Sequence, residues 1–351
     1  MQTKKSTDKL TEKLNCAVVG ASGYAGLELI RLLLGHPGVR LQAIYSRQRS
    51  VEKFSELYPS LSTFCELELK PFAGELAQID VVFVAVPHGE SALVIKEILE
   101  KNQPAPVIID LGADLRVSAQ SFEEAFGTAH PAPELCARAV YGTPELDPHI
   151  LKTANLIANP GCFAHTIILA LAELVRAGVT DSHFRVAAMT GSSGGGAKPN
   201  QKAHHPERDG NITAYQVFKH RHLAEVSQTL TKLGQAPVEI EFVPLSGPYV
   251  RGIFATCFAE LSQASVNVSA LYQDFCADKR FLRLRAETPR MSEIKGSNFC
   301  DVAVQQRGSS VVVLASLDNL VKGAGGNAIQ CMNIRFGLPE KCGLDFPAIF
   351  P

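Results

Sequence analysis

The chain has 351 residues, of which 46% are hydrophobic and 20% charged, with a formal net charge of −1. That length accommodates two domains with separate cores, and the near-neutral, mixed charge argues against non-specific nucleic-acid binding, which needs a clear excess of Lys and Arg. No apolar run reaches the length of a membrane span, and nine scattered cysteines without a C-x-x-C pair point to a reducing cytoplasm rather than a disulfide framework or structural zinc.

Residues 1–14, polar and lysine-rich, read as a flexible tail and not as a signal peptide. "NCAVVGASGYAGLELIRLLLGHP" then runs from a short apolar strand through a glycine turn into a helix, with Leu27, Ile30, Leu33 and Leu34 at helical spacing and Gly35 and Pro37 as stops. A second strand, "VRLQAIYSR", ends at Ser46 and Arg47. "IDVVFVAVPHG" and "APVIIDLGAD" are nearly continuous in Val and Ile, as fully buried strands are, and "ESALVIKEILEK" is the helix between them. Strands alternating with helices imply a parallel sheet with crossover connections.

After Cys162 the pattern changes. "FAHTIILALAELVRAG" is apolar almost all round, as a helix buried between layers would be. "FRVAAMTGSSGGGAKP" reads as a strand running into a glycine-rich loop, and "PVEIEFVPLSGPYVRGIFATCFAEL" as a pair of strands. More strands follow in "SNFCDVAVQQRGSSVVVLASL". The expectation is an α/β chain, with a parallel sheet followed by a mixed sheet. "DNLVKGAGGNAIQCMNIRFGL" closes the chain as a helix pattern, with Leu320, Ala324, Ala328, Ile329 and Met332 on one side.

The chemistry starts at the glycines. Gly20, Gly23 and Gly26 follow a strand and open a helix, the setting of a dinucleotide fingerprint, in which small residues admit a pyrophosphate to the helix N-terminus. Such a turn also serves as a bare strand–helix link. The second strand favours a ligand: where an NAD site puts an acid about 20 residues on, this chain has Ser46, Arg47 and Arg49. A guanidinium pairs with the 2′-phosphate of NADP, which a carboxylate would repel.

"NPGCFAH", residues 159–165, puts Cys162 after a turn at a helix start. Unpaired N–H groups and the helix dipole lower a thiol pKa there, so a nucleophile is favoured over a core filler. A thiolate needs a proton partner, and "AHHPERDGNITAYQVFKHRHLAEV" supplies His204, His205, His220 and His222. His204 reads as a surface residue. His222 starts a helix pattern and could project into a cleft, while Glu225 could orient a ring or face solvent. The spacing matches no familiar metal set.

In this order, "GASGYAGLELIRLL", "YSR", "VAVPHGES", "IIDLGADLR", "YGTPEL", "NPGCFA", "HHPERDGNITAY", "HRHLAEV", "VRGI" and "DNLVKGAGGNAIQCMN" span nearly the whole chain. Together they resemble the N-acetyl-gamma-glutamyl-phosphate reductase family, which is related to the aspartate-semialdehyde dehydrogenases. The resemblance implies a Rossmann-type NADP(H) domain, residues 15–161 with 319–351, and a mixed-sheet α+β catalytic and dimerisation domain, residues 162–318. It implies Cys162 as nucleophile and His222 as acid/base. Gly20, Ser22, Gly23, Tyr24, Ala25, Gly26, Ser46, Arg47 and Gln48 would hold NADP, with Asn319 near the nicotinamide. Arg116, Ser192, His205 and Arg251 would line the substrate site. The implied reaction reduces an acyl phosphate, releasing phosphate, in a homodimer or homotetramer.

Two departures stand out. The family usually has threonine three residues after the cysteine, where this chain has His165. "HHPERDG" looks closer to lysine-pathway reductases, which act on an aminoadipyl or glutamyl phosphate carried by a small acidic protein; a net charge of −1 offers such a carrier little. Competing classes are an NADP-binding regulator without catalysis and a metal-dependent hydrolase.

Overall fold

The computed structural model describes residues 12–47, 53–199, 201 and 204–350. Seven parallel strands form the first sheet: β1 (Leu14–Val19), β2 (Val39–Ser46), β3 (Leu69–Pro71), β4 (Val81–Val84), β5 (Val107–Asp110), β6 (Val140–Tyr141) and β7 (Leu156–Ala158). Their spatial order is β3-β2-β1-β4-β5-β7-β6. β4 and β5 are buried at every position, as the continuous Val/Ile runs require of strands covered on both faces.

One face packs on the helix Tyr24–Leu34 and on Gly326–Arg335, which returns from the far end of the chain so that Ala328, Ile329 and Met332 share a core with Leu29 and Ile30. The other face packs on Ser91–Lys101 through Ala92, Val94, Ile95 and Ile98. Strand order reverses between β1 and β4, which opens a crevice at their carboxyl ends. Gly20 sits there with φ +93°, and a Cβ on it would lie 2.4 Å from the Ala85 carbonyl oxygen. Only glycine combines that backbone with that approach.

The second sheet contains β8 (His183–Thr190), β9 (Thr213–Ala214), β10 (Glu239–Ser246), β11 (Ile253–Glu260), β12 (Leu282–Leu284), β13 (Cys300–Arg307) and β14 (Ser310–Leu317). It is mixed, in the order β12-β13-β14-β11-β8-β10-β9. β10 and β11, expected as a pair, are not neighbours. β8 lies between them, parallel to β10 and antiparallel to β11, because the helix His222–Gly234 carries the chain across between β8 and β10. The apolar helix Cys162–Arg176 is buried at every position from Phe163 to Val175, packed against β11, β14 and His222–Gly234.

The closing helix pattern holds one surprise. Val321–Gly325 is a π turn, and the α-helix begins only at Gly326. Asp318 Oδ1 accepts the Leu320 and Val321 N–H groups at 2.8 and 3.2 Å, fixing the start of the turn. Its wide pitch presses Gly323 onto Cys162, where a Cβ would come within 2.9 Å of the Cys162 Cβ.

Lys322, in that turn, is fully buried. Its ammonium donates to Glu145 Oε1 at 2.5 Å, Gln330 Oε1 at 2.7 Å and Asn327 Oδ1 at 3.2 Å. A buried ion pair is costly to break from one side, because the remaining charge stays in the interior. Lys322→Met should destabilise the fold by about 3–5 kcal/mol. The double variant with Glu145→Gln should lose less, as urea unfolding would measure; equal losses would show that the charge pair is not what matters.

Candidate active site

The glycine turn faces the crevice. Gly20 and Ala21 donate their N–H groups to the Tyr45 carbonyl at 2.8 and 3.0 Å, joining the end of β1 to β2. Ser22 Oγ lies 3.3 Å from Ser46 Oγ, and Tyr58 donates to the Ser22 carbonyl at 2.8 Å. Gly23 caps the helix Tyr24–Leu34 in extended conformation, and the nearest atom to a Cβ on it, the Gly20 oxygen, is 3.8 Å away. Gly26 packs its Cα against Gly20, Ala25 lies in the first turn of that helix, and Tyr24 is exposed. The free N–H groups of that helix start are open to an anion, so these residues fit a dinucleotide pyrophosphate.

At the end of β2, Ser46 is buried, and Arg47 Nη1 meets Glu90 Oε2 at 3.1 Å. Both members of that pair are exposed, so it costs little to open for a phosphate. Gln48, expected with them, lies outside the described residues, as does Arg49.

Cys162 is the first residue of its helix, and Gly161 is the cap. A Cβ at Gly161 would lie 2.5 Å from His222 Nε2 and 2.7 Å from Arg116 Nη1. The cap is therefore glycine because an imidazole and a guanidinium occupy the space beside it. Glu225, one turn along the second helix from His222, holds this arrangement. Its Oε2 accepts the Gly161 N–H at 2.8 Å and the Tyr141 hydroxyl at 2.9 Å, while Oε1 accepts Arg116 Nη1 at 3.1 Å and stands 3.9 Å from His222 Nε2. Glu225 orients the site and does not face solvent.

The other expected residues divide. Asn319 is buried: its Oδ1 accepts the Gly252 N–H at 2.7 Å, and its Nδ2 donates to Ser193 Oγ at 3.0 Å. Ser192 starts a short turn tied to Tyr249 by its N–H. Arg251 gives one terminal nitrogen to Glu28 and the other to Asp318 at 3.3 Å, bracing the glycine-turn helix against the end of β14. His204 and His205 are exposed at a short helical turn, whereas His220 and His222 are buried with ring centroids 4.7 Å apart. Among the described residues no group of three His, Cys, Asp or Glu is placed to hold a metal ion, and no helix is long and apolar enough to cross a membrane.

His165 turns away from the nucleophile. Its Nδ1 lies 3.1 Å from the Lys322 carbonyl and its Nε2 3.7 Å from Glu145 Oε2, and burial pushes its pKa down. It joins the Lys322 cluster instead.

Residues 15–154 match the semialdehyde dehydrogenase NAD binding domain, and residues 162–319 the semialdehyde dehydrogenase dimerisation domain. An N-acetyl-gamma-glutamyl-phosphate reductase from Methanosarcina barkeri is 40% identical, over 96% of this chain and 100% of its own. The chain belongs to the N-acetyl-gamma-glutamyl-phosphate reductase family. A Thermomicrobium roseum protein named as a candidate LysW-L-2-aminoadipate 6-phosphate reductase is 38% identical over 96% of this chain and 99% of its own. The fold is that of the aspartate semialdehyde dehydrogenases: the Vibrio cholerae enzyme II superposes with a TM-score of 0.69 at 15% identity, covering 93% of this chain and 99% of that one. This member of the reductase family is thus an oxidoreductase of the semialdehyde dehydrogenase type.

Its candidate nucleophile is not a standing thiolate. Burial pushes the Cys162 thiol up, and the charges of Arg116 and Arg221 and the Phe163 N–H only partly oppose this. Burial, with His220, Arg116 and Arg221 around it, holds His222 well below the ordinary histidine value. Desolvation therefore overrides the helix-start effect expected from sequence, and at pH 7 thiol and imidazole are both neutral. Alkylation requires thiolate, so the rate of Cys162 modification by iodoacetamide should climb with pH through and beyond the ordinary thiol range. Mass spectrometry of the labelled peptide would read it, and a plateau already reached near pH 6 would show a preformed thiolate–imidazolium pair instead.

Proposed function

We propose that this chain reduces N-acetyl-L-glutamyl 5-phosphate to N-acetyl-L-glutamate 5-semialdehyde, releasing phosphate, with NADPH as reductant. One observation carries the reading: Cys162, His222 and Arg116 converge on Gly161 at a helix start, beside a crevice whose glycine turn fits a dinucleotide. The relatives' names supply the acyl group, and a solved Candida albicans aspartate semialdehyde dehydrogenase described with NADP shares the fold, with a TM-score of 0.68. In this reading the enzyme works in the cytoplasm as a homodimer or homotetramer assembled through residues 162–318, and residues 15–161 with 319–351 hold the cofactor.

Cys162 Sγ attacks the acyl carbonyl as neutral His222 takes its proton. The carbonyl–phosphate bond breaks, and His222 passes the proton to the departing oxygen, leaving a thioester on Cys162. Hydride for that carbonyl would come from NADPH held at the glycine turn. The resulting oxyanion collapses to the aldehyde, expelling the Cys162 thiolate, and His222 delivers it a proton from solvent. Arg116, held by Glu225, offsets the negative charge that builds beside the sulfur. Gly20, Ser22, Gly23, Tyr24, Ala25 and Gly26 would hold the pyrophosphate side, Ser46, Arg47 and Gln48 the 2′-phosphate, and Asn319 the nicotinamide end. Ser192, His205 and Arg251 are assigned to the substrate side, Arg251 through its brace at the end of β14.

Turnover of N-acetylglutamate semialdehyde with phosphate and NADP is the direct test. Cys162→Ser should abolish it; comparable activity in that variant would rule out the thioester. The same assay with carrier-bound aminoadipate semialdehyde decides between the two relatives' substrates, and preference for the carrier-bound compound would overturn the acyl assignment. Arg47→Ala should raise KM for NADPH about 10- to 100-fold, the worth of a charge-assisted hydrogen bond, with little effect on NADH. Equal effects on both cofactors would place Arg47 away from the 2′-phosphate.

A further inference from the structure

Two guanidiniums stand at the nucleophile, but only one has a carboxylate. Arg116 is matched by Glu225. Arg221, directly before His222, forms no ion pair among the described residues. Its Nη1 meets His88 Nε2 at 2.5 Å, and its guanidinium lies 5.9 Å from the Phe126 ring centroid. His88, in the loop after β4, and Phe126, the last residue of the helix Ala119–Phe126, lie 5.9 Å apart on the first unit, so Arg221 is clamped across the cleft. Its Nε is buried without a partner.

His88 cannot neutralise this cation. It accepts from Arg221 and so carries no proton on Nε2; burial and the charges of Arg221 and Arg116 lower its pKa to about 4. Asp110 and Asp114 act on Arg116 and His88 but form no ion pair with Arg221, which is left without a carboxylate of its own among the described residues. Cations withdrawn from water are normally paired with anions. The unpaired edge of the guanidinium, Nε and the second terminal nitrogen, has the spacing of a bidentate phosphate contact.

We infer that Arg221, clamped by His88 and Phe126 beside Cys162, receives the phosphate group of the acyl phosphate. The inference rests on the proposed acyl-phosphate reaction and assigns its leaving group a place. Phosphate, not the substrate's carboxylate, fits this position because it is bonded directly to the carbonyl that Sγ attacks. The carboxylate lies several bonds further along the substrate. Arg221 therefore binds phosphate before attack, stabilises it as it departs, and in reverse delivers it to the thioester.

The reverse reaction tests this cleanly, since inorganic phosphate is then a separate substrate. Arg221→Gln should raise KM for phosphate about 10- to 100-fold, leaving KM for the semialdehyde and for NADP within about threefold. Arg221→Lys, which keeps the charge without the fork, should fall between. Inorganic phosphate should also slow iodoacetamide labelling of Cys162 in wild type and not in Arg221→Gln, a readout independent of turnover. An unchanged phosphate KM, or a rise confined to the semialdehyde, would overturn the assignment. Wild type that turns over without needing phosphate would instead sink the acyl-phosphate reaction itself.

Discussion

The carboxylate of Glu225 joins four pieces of chain at one point. Gly161 comes from the turn after β7, Tyr141 from β6, Arg116 from the loop after β5, and His222 shares its own helix. A carboxylate buried this deeply is tolerable only with its lone pairs engaged, and here three donors engage them. The requirement runs both ways. Because Glu225 must be satisfied, the N–H of Gly161 is drawn toward the second unit, and the start of the Cys162 helix is pinned beside the helix His222–Gly234. Glycine at the cap follows, since any side chain would collide with the imidazole and guanidinium that Glu225 gathers.

A second buried carboxylate does the corresponding job at the next turn of the same helix. Glu145 meets Lys322, and His165 accompanies them, so the π turn Val321–Gly325 is fixed against the Cys162 backbone. Thr166 ties its hydroxyl to the Cys162 carbonyl at 2.8 Å. Cys162 thus sits between two polar clusters, each drawing residues from both units of the chain. Arg251 adds a third tie, pairing with Glu28 of the first unit and Asp318 after β14. Such cross-links make crevice and thiol one rigid assembly, as precise placement of reacting atoms demands.

What could be read from sequence was what is written locally. The glycine turn, the continuous Val/Ile strands and the all-apolar helix after Cys162 each carry their burial in a short window of residues. Glu225 and Lys322 do not. A buried charge and a solvated one have the same sequence context when the partner lies 64, 109 or 177 positions away, as it does here. The π turn was hidden for a related reason: its residues are spaced acceptably for an ordinary helix, and only the Asp318 cap and the contact with Cys162 select the wider pitch. β10 and β11 misled because adjacency in sequence usually means adjacency in a sheet. The crossover helix that separates them was legible, but not which strand it would pass.

Burial of a thiol with a neutral imidazole has a consequence for the order of events. An exposed thiolate at a helix start would react with any electrophile or oxidant that reached it. Here the charge separation that creates thiolate and imidazolium must occur in a half-buried site, where desolvation makes it unfavourable until something compensates. Arg116 is already matched by Glu225 and can contribute only partly. An incoming acyl phosphate, by contrast, brings an anion to the unmatched Arg221 and an electrophilic carbon to Sγ in the same binding event. In the proposed reaction, proton transfer to His222 and attack on the carbonyl then become favourable together. Reactivity is in this way coupled to the presence of the correct substrate, through the same desolvation that keeps the free thiol protonated.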